Sequence, residues 1–289
     1  MTAHNFPYHR GFGLIGHEGD LLLKFGKDVK VHETARINVD DGFIGDRSVV
    51  GPDAVIEGRF IRIGNEAWID EHAYIGGGSC FDPKSTLVVG DFLHMGRFSH
   101  LNQGRGLKIG HEFGCGMDTK VFTHGAYESA WDGFPVQWGP VTIGDRVWMP
   151  NAIVNPNVNI GNEVVVAALS VVTSDLPDGC FAGGNLCKVL REKCYPRRLV
   201  AQEKEMLFDR IFSEAKEIFG ANRLKENTPS IDYIKIDEDS FSVAGTVFDM
   251  KRQSIEGGAD EFTETLKNQL RRNGIRFRYC AKGDSYSKW

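Results

Sequence analysis

Residues 44–75 read IGDRSVVGPDAVIEGRFIRIGNEAWIDEHAYI, and their spacing decides the fold. Ile44, Val50 and Ile56 stand six apart, as do Ile63, Ile69 and Ile75. The beat returns in Val89, Met95 and Leu101, in Ile109, Cys115 and Val121, and in Ile160, Val166 and Val172. A period of six fits neither the alternation of a strand nor the 3.6-residue turn of a helix. It fits short strands joined by tight corners, each strand turning one apolar residue inward. Most runs open on Ile-Gly or Val-Gly and a polar residue: Ile44-Gly45-Asp46, Ile63-Gly64-Asn65, Val89-Gly90-Asp91, Ile109-Gly110-His111, Ile143-Gly144-Asp145 and Ile160-Gly161-Asn162. Such a pair suits a corner, because glycine reaches backbone angles closed to other residues. Three strands close a triangular coil of about 18 residues. Stacked coils then bury one continuous apolar column.

Working outward from these hexads, the beat spans residues 31 to about 183, roughly eight coils' worth. Residues 1–30 are rich in glycine and aromatics and lack it, which makes them a lead-in or cap. Two stretches break phase. Gly77-Gly78-Ser79-Cys80-Phe81-Asp82-Pro83 reads as a loop, and residues 125–139, GAYESAWDGFPVQWG, form a longer aromatic excursion. An aromatic loop leaving a regular scaffold is either a binding element or a loop packed on its own coil. Past Asp178-Gly179 the pattern ends, and a segment from 197 to 289 follows with a different grammar. Leu207, Ile211, Ala215 and Ile218 recur at helical steps, with Gly220 as the stop. Ile234 and Ile236, then Phe241, Val243 and Val247, alternate as strands do. A second helix is expected over Asp260 to Arg272, and a last strand alternates Ile275, Phe277 and Tyr279 with Arg276 and Arg278. The expectation is a mainly β solenoid, residues 31–196, with a small α+β appendage, residues 197–289. The two arginines mark a binding face or a sheet edge guarded by charge.

The chain has 289 residues and a net charge of −5, with both signs mixed. That balance argues against a nucleic-acid grip over the whole surface. Six cysteines show no CxxC pair and no framework spacing, and Cys115 falls on an inward hexad position. Reduced thiols and a cytoplasmic home are therefore expected. The opening MTAHNFPYHRGFG carries no apolar signal core, and no run of about 18 apolar residues exists to span a membrane.

Three stretches carry a resemblance. Gly139-Pro140-Val141-Thr142-Ile143-Gly144-Asp145-Arg146-Val147-Trp148, Ser170-Val171-Val172-Thr173-Ser174-Asp175-Leu176-Pro177 and Gly183-Gly184-Asn185-Leu186-Cys187-Lys188-Val189-Leu190-Arg191 resemble the hexapeptide-repeat acyltransferases, most closely the sugar and xenobiotic O-acetyltransferases. The resemblance covers about residues 85–195. It implies a left-handed parallel β-helix, an exception to the usual right-handed crossover. It also implies a homotrimer with active sites between subunits, acetyl-CoA as donor, no metal, and a small carbohydrate as acceptor.

Within that resemblance His124, in Phe122-Thr123-His124, stands where the family keeps its catalytic histidine, 24 residues before Trp148. Acyl transfer in one ternary complex needs a base for the acceptor's proton, and a neutral imidazole fits the task. The residues name no orienting partner for that imidazole; a backbone carbonyl, Asp118 and Glu128 are the options. The family often sets an acceptor-binding Asn one coil earlier. That place falls near Met95 or Gly96, so Asn102 is the nearest amide, and this departure leaves the acceptor open. Glu128, Asp132, Trp131, Phe134 and Trp138 in the excursion are expected to hold the acceptor, with Trp148 as a pocket wall or a core residue. Gly116, Ala167, Ala168 and Thr173 match the small residues along which the family lays the pantetheine arm. Lys188 and Arg191 match the basic pair that meets coenzyme A phosphates, as a point charge and a fork. Otherwise they are two solvated cations at a helix start.

Other readings stay open. The acceptor group is a sugar hydroxyl or the amine of a nucleotide-linked sugar. The same solenoid carries γ-type carbonic anhydrases, and His94, His100 and His111 lie in the right region, although their spacings of six and eleven do not suit that zinc site. A non-catalytic scaffold is the third class.

Overall fold

The computed structural model describes residues 22–222, 231–258 and 260–278. The chain divides into two units, Met1–Arg197 and Arg198–Trp289. The first is a parallel β-solenoid of about 8 turns. One wall stacks residues 22–25, 41–44 and 60–63 with Leu87–Val89, Leu107–Ile109, Val141–Ile143 and Asn159–Ile160. A second stacks Lys30–Val31, Val49–Val50, Trp68–Ile69, His94–Met95, Gly114–Cys115, Trp148–Met149, Val165–Val166 and Phe181–Gly183. The third runs from residues 36–39 and 55–58 through Tyr74–Ile75, His100–Leu101, Lys120–Val121 and Ala152–Val154 to Ser170–Val172. The hexad residues are the core: Val50, Ile69, Met95, Cys115, Met149 and Val166 are fully buried in one column. Burial pushes the Cys115 thiol up to about 12, which leaves it an inert apolar filler. The solenoid starts earlier than the beat suggests, since Leu22–Phe25 already pairs in register with residues 41–44. The rest of the expected lead-in, residues 1–21, lies outside the described residues.

The corner glycines serve a different purpose from the one expected. None of Gly45, Gly64, Gly90, Gly110, Gly144 and Gly161 has a positive φ. The left-handed residue comes two positions later, as Arg47, Glu66, Phe92, Glu112, Arg146 and Glu163, with φ between 55° and 61°. The glycines are there because coils touch. A Cβ on Gly45 would lie 2.5 Å from the Gly64 carbonyl carbon, and one on Gly90 would lie 2.8 Å from that of Gly110. The polar residue that follows each glycine closes a ladder. Asn65 Oδ1 accepts the Asp46 N–H at 2.8 Å, and Asp91 Oδ1 accepts the Asn65 N–H at 2.8 Å. His111, Asp145, Asn162 and Asp178 repeat the step. Backbone donors left over at each corner are thereby satisfied from one coil to the next.

The second unit packs two helices with an antiparallel sheet. Helix Ala201–Asn222 runs on through Gly220, so that glycine does not end it. Phe208, Ile211, Phe212 and Ala215 on this helix share a core with Phe241, Val243, Phe248, Phe262, Leu266 and Leu270, and tertiary burial outweighs the roughly 1 kcal/mol cost of a helical glycine. Helix Glu261–Arg272 is capped by Asp260, whose carboxylate accepts the Thr263 N–H at 2.7 Å. Strands Tyr233–Lys235, Ser240–Val243, Thr246–Asp249 and Ser254–Glu256 form a meander. The expected last strand amounts to one bridge, Ser254 to Arg278, and Tyr279 lies outside the described residues.

Candidate active site

Two excursions from the solenoid converge on His124. The first follows Ile75 and returns at Leu87; the second leaves at His124 and returns at Val141. Coil hydrogen bonding holds Phe122, whose N–H meets the Val154 carbonyl at 2.9 Å. Then the chain turns outward, and His124–Gly125 pairs antiparallel with Gln137–Trp138. Cross-strand pairing sets His124 against Trp138, and the rings stack with centroids 4.8 Å apart and planes 12° apart.

The opposite side of the imidazole is fixed by an amide. His124 Nδ1 lies 2.9 Å from Asn102 Oδ1. Asn102 is 1% exposed, and every hydrogen-bonding group on its side chain is used. Its Nδ2 donates to the carbonyls of Gly76 at 3.0 Å and Gly78 at 3.3 Å. Its Oδ1 also takes the Thr123 hydroxyl at 2.8 Å and the Gly104 N–H at 3.3 Å. With the amide nitrogen committed to carbonyls, the atom facing the ring is the oxygen, and Nδ1 must carry the hydrogen. The neutral ring then has its lone pair on Nε2, which has no hydrogen-bond partner among the described residues. Burial holds the His124 pKa below the ordinary imidazole value; the Arg105 charge adds to this and Asp82 acts against it. The ring is therefore neutral at physiological pH and open at one nitrogen, the state a proton acceptor needs.

Arg105 ties the excursions together. Its Nη1 donates to Asp82 Oδ2 and to the Gly104 carbonyl, both at 2.9 Å, while the guanidinium lies 4.1 Å from the Trp138 ring centroid. Its backbone N–H donates to Thr123 Oγ1 at 3.1 Å. The Arg105 hydrogen bond holds the Asp82 carboxyl below its usual range.

Several expected roles change on this geometry. Asn102 is the orienting partner of His124, in place of Asp118 or Glu128, and its spent amide cannot also greet an acceptor. Asp118 pairs instead with Lys120 at 3.9 Å. Trp138 packs on His124 and Arg105 and is not free to stack on a sugar. Trp131, 96% exposed, and Glu128 do stand out in solvent. Trp148 is no core residue; it is 43% exposed on the second wall, and its ring lies over Gly114. Of the small residues, Gly116 and Ala167 share a column. The Gly116 N–H meets the Met149 carbonyl at 2.8 Å, the Ala167 N–H meets that of Ala182 at 2.8 Å, and Gly183 faces Lys188 in the closing hairpin. Ala168 falls at the next corner, and Thr173 is exposed just past the third wall. Lys188 and Arg191 lie on a strand, Lys188–Arg191, antiparallel to Phe181–Gly183, and so not at a helix start. Three residues apart, they would sit on opposite faces of a regular strand. A bulge at Leu190 restores them to one face, with Lys188 opposite Gly183 and Arg191 opposite Phe181. The Arg191 guanidinium lies 5.0 Å from the Phe181 ring centroid. Gly78, Asp82 and Arg105 escaped the sequence reading because off-beat residues announce no partner; the phase break at Gly77 was the one available signal.

The histidines of the zinc reading stand on different parts of the coil: His94 on the second wall, His100 on the third, His111 at a corner. His100 Nε2 bonds the Gly76 carbonyl at 3.1 Å, and His111 Nδ1 accepts the Asp91 N–H at 3.0 Å. Among the described residues no three His, Cys, Asp or Glu side chains gather as a metal site would require. No helix among them is long and apolar enough to cross a membrane.

No family model matches the chain. It is 52% identical over 54 residues to a Saccharomyces cerevisiae protein named for acetyltransferase activity, 18% of this chain and 28% of that one. It is 28% identical over 151 residues to galactoside O-acetyltransferase of Escherichia coli, 48% of this chain and 68% of that one. A hexapeptide-repeat acetyltransferase of Vibrio cholerae, solved with acetyl coenzyme A, aligns at 25% identity and a TM-score of 0.32 over 51% of this chain and 69% of that one. The first of these matches thus spans less than a third of its relative's length. In its stacked hexads, its Thr123-His124 departure and these sequence matches, the chain is similar to the hexapeptide-repeat acetyltransferases.

Proposed function

We propose that the chain is an acyltransferase that moves an acetyl group from acetyl-CoA to a hydroxyl of a sugar or related small molecule, with His124 as general base. One observation carries the reading: Nδ1 is held by Asn102, leaving Nε2 as the open acceptor of a proton. In a single ternary complex the acceptor oxygen attacks the thioester carbonyl while Nε2 takes its proton. The tetrahedral intermediate collapses with loss of the C–S bond. The proton on the imidazolium then passes to the departing thiolate, giving the ester and free coenzyme A. Stacking on Trp138 and the Asn102 bond keep the ring in place throughout, so little order is lost on reaching the transition state.

The donor side of this reading rests on Gly116, Ala167, Ala168, Thr173, Lys188 and Arg191, with the two cations gathered on one strand face by the Leu190 bulge. The acceptor side draws on the excursion, through Glu128 and Trp131, and on Trp148. We take the working unit to be a homotrimer with the excursion reaching over a subunit boundary. The test is release of coenzyme A thiol with a panel of simple hexosides and amino sugars, each product weighed by mass spectrometry. A mass gain of one acetyl on a hydroxyl supports the reading. Acetylation confined to amines redirects it to N-acyl transfer, and no thiol release with any acceptor, together with no coenzyme A binding, overturns it.

A further inference from the structure

The first excursion does more than bridge two coils. Gly76 and Gly77 have positive φ, at 145° and 105°, so their lack of side chain answers to the backbone. Gly78 differs. Its φ is not positive, and no main chain crowds it. A Cβ added there would meet one group, the His124 ring, at 3.1 Å from Nε2 and 3.5 Å from Cε1. The place a side chain would fill at Gly78 thus adjoins the nitrogen that takes the proton, on its Cε1 side. The segment is also held unusually well for a loop. The Asn102 amide bonds the Gly76 and Gly78 carbonyls, and Arg105 grips Asp82 at the far end. A Cβ on Gly104 would lie 3.0 Å from the Gly78 carbonyl oxygen, so the loop is backed from behind as well.

We propose that Gly78 is a specificity-determining residue: the acceptor's reacting group enters across it to His124 Nε2, and the clamped segment from Gly76 to Asp82 forms that entry's wall. The proposal rests on His124 acting as the base. His124 cannot yield to added bulk, since Asn102 and Trp138 hold it on two sides. A methyl group in this place therefore competes with the acceptor. One methylene misplaced in a fitted pocket is worth about 10–200-fold in discrimination.

The test compares two acceptors of different girth, a simple hexoside and water, in wild type and Gly78→Ala. The ratio of hexoside transfer to donor hydrolysis is expected to fall about 10–200-fold in the variant. An unchanged ratio overturns the proposal, whether both rates hold or both fall together. Should Gly78→Ala fail to fold, Arg105→Gln frees the wall without adding bulk. It is expected to raise the KM for the hexoside more than the KM for acetyl-CoA; equal changes in the two overturn the proposal. His124→Ala keeps the two readings apart. Full turnover in that variant removes the base itself, whereas loss of turnover there with an unmoved ratio in Gly78→Ala removes the entry alone.

Discussion

The two excursions leave the same wall of the scaffold two coils apart and are built in opposite ways. The segment from Gly76 to Asp82 is bound inward by Asn102 and Arg105. The segment from Gly125 to Trp138 is anchored at its base by a two-residue ladder, and its tip holds Tyr127 and Trp131 at 97% and 96% exposure. A loop whose polar atoms are spent on the scaffold acts as a fixed wall. A loop that exposes aromatic rings keeps contact area in reserve for something outside the chain, because so much apolar surface in water is costly. The difference is chemical, since both loops are rich in glycine and both break the hexad phase.

The largest effect that tests this contrast is at its meeting point. His124→Ala should leave the solenoid folded by circular dichroism and cut turnover by roughly 10²–10⁴, the usual worth of a positioned general base. Near-normal turnover in the folded variant would sink the assignment.

Asn102→Ala strikes the clamped loop. It removes the amide from the Gly78 carbonyl, leaves the Gly76 carbonyl to His100, and releases the His124 tautomer. Stability should fall by about 1–3 kcal/mol, the cost of unpaired buried polar groups, in denaturant melts. Turnover should fall with it, by more than the loss of folded protein explains. A variant that melts early yet turns over at the wild-type rate per folded molecule would make Asn102 purely structural.

Replacing residues 126–136 by a two-residue turn tests the bare loop, with Trp138 kept on His124. Loop closure changes slowly with length, so stability should move by less than about 1 kcal/mol. The kcat/KM for the acceptor should drop while that for donor hydrolysis stays measurable. Dissociation of the assembly with acceptor kinetics intact would show that the exposed rings are glue between subunits.

Smaller still is the double change Lys188→Ala, Arg191→Ala. Both side chains are exposed, so their ionic contacts are screened, and about 3–10-fold in the KM for acetyl-CoA is expected, with kcat nearly unmoved. An acetylated pantetheine without the nucleotide is the control; equal impairment with it means the pair does not meet phosphate.

The smallest effect is in pH. With His124 as the proposed base, activity calls for the neutral ring, and burial followed by the Arg105 charge depresses its pKa. The acid limb of the rate profile should therefore lie below the ordinary imidazole value of about 6.5. Arg105→Gln removes a positive neighbour, favours the imidazolium and should move that limb upward. Asp82→Asn removes the opposing carboxylate and should move it down, provided Arg105 stays in place. An NMR titration of the His124 ring checks the sign without any turnover, and a limb indifferent to both changes would uncouple the clamp from the base.

The coil stack could be read from the chain because a hexad is local and repeats: each inward residue meets the same residue one coil away, so period and burial carry the same information. Residues such as Ile44, Ile63 and Val89 declare their neighbours by position alone. His124 was singled out differently, by a family resemblance in the Thr123-His124 pair and its distance from Trp148, and its role as base is a proposal. The reason for the corner glycines was not legible, because the close approach of Gly45 to Gly64 exists only once coils are stacked. Nor was the partner of His124. Asn102, Asp82 and Arg105 lie off the beat, and loops that leave a repeat lose its register. The tertiary structure alone decided which atoms they bring together: an amide oxygen on Nδ1, a guanidinium on Trp138, and a glycine before Nε2.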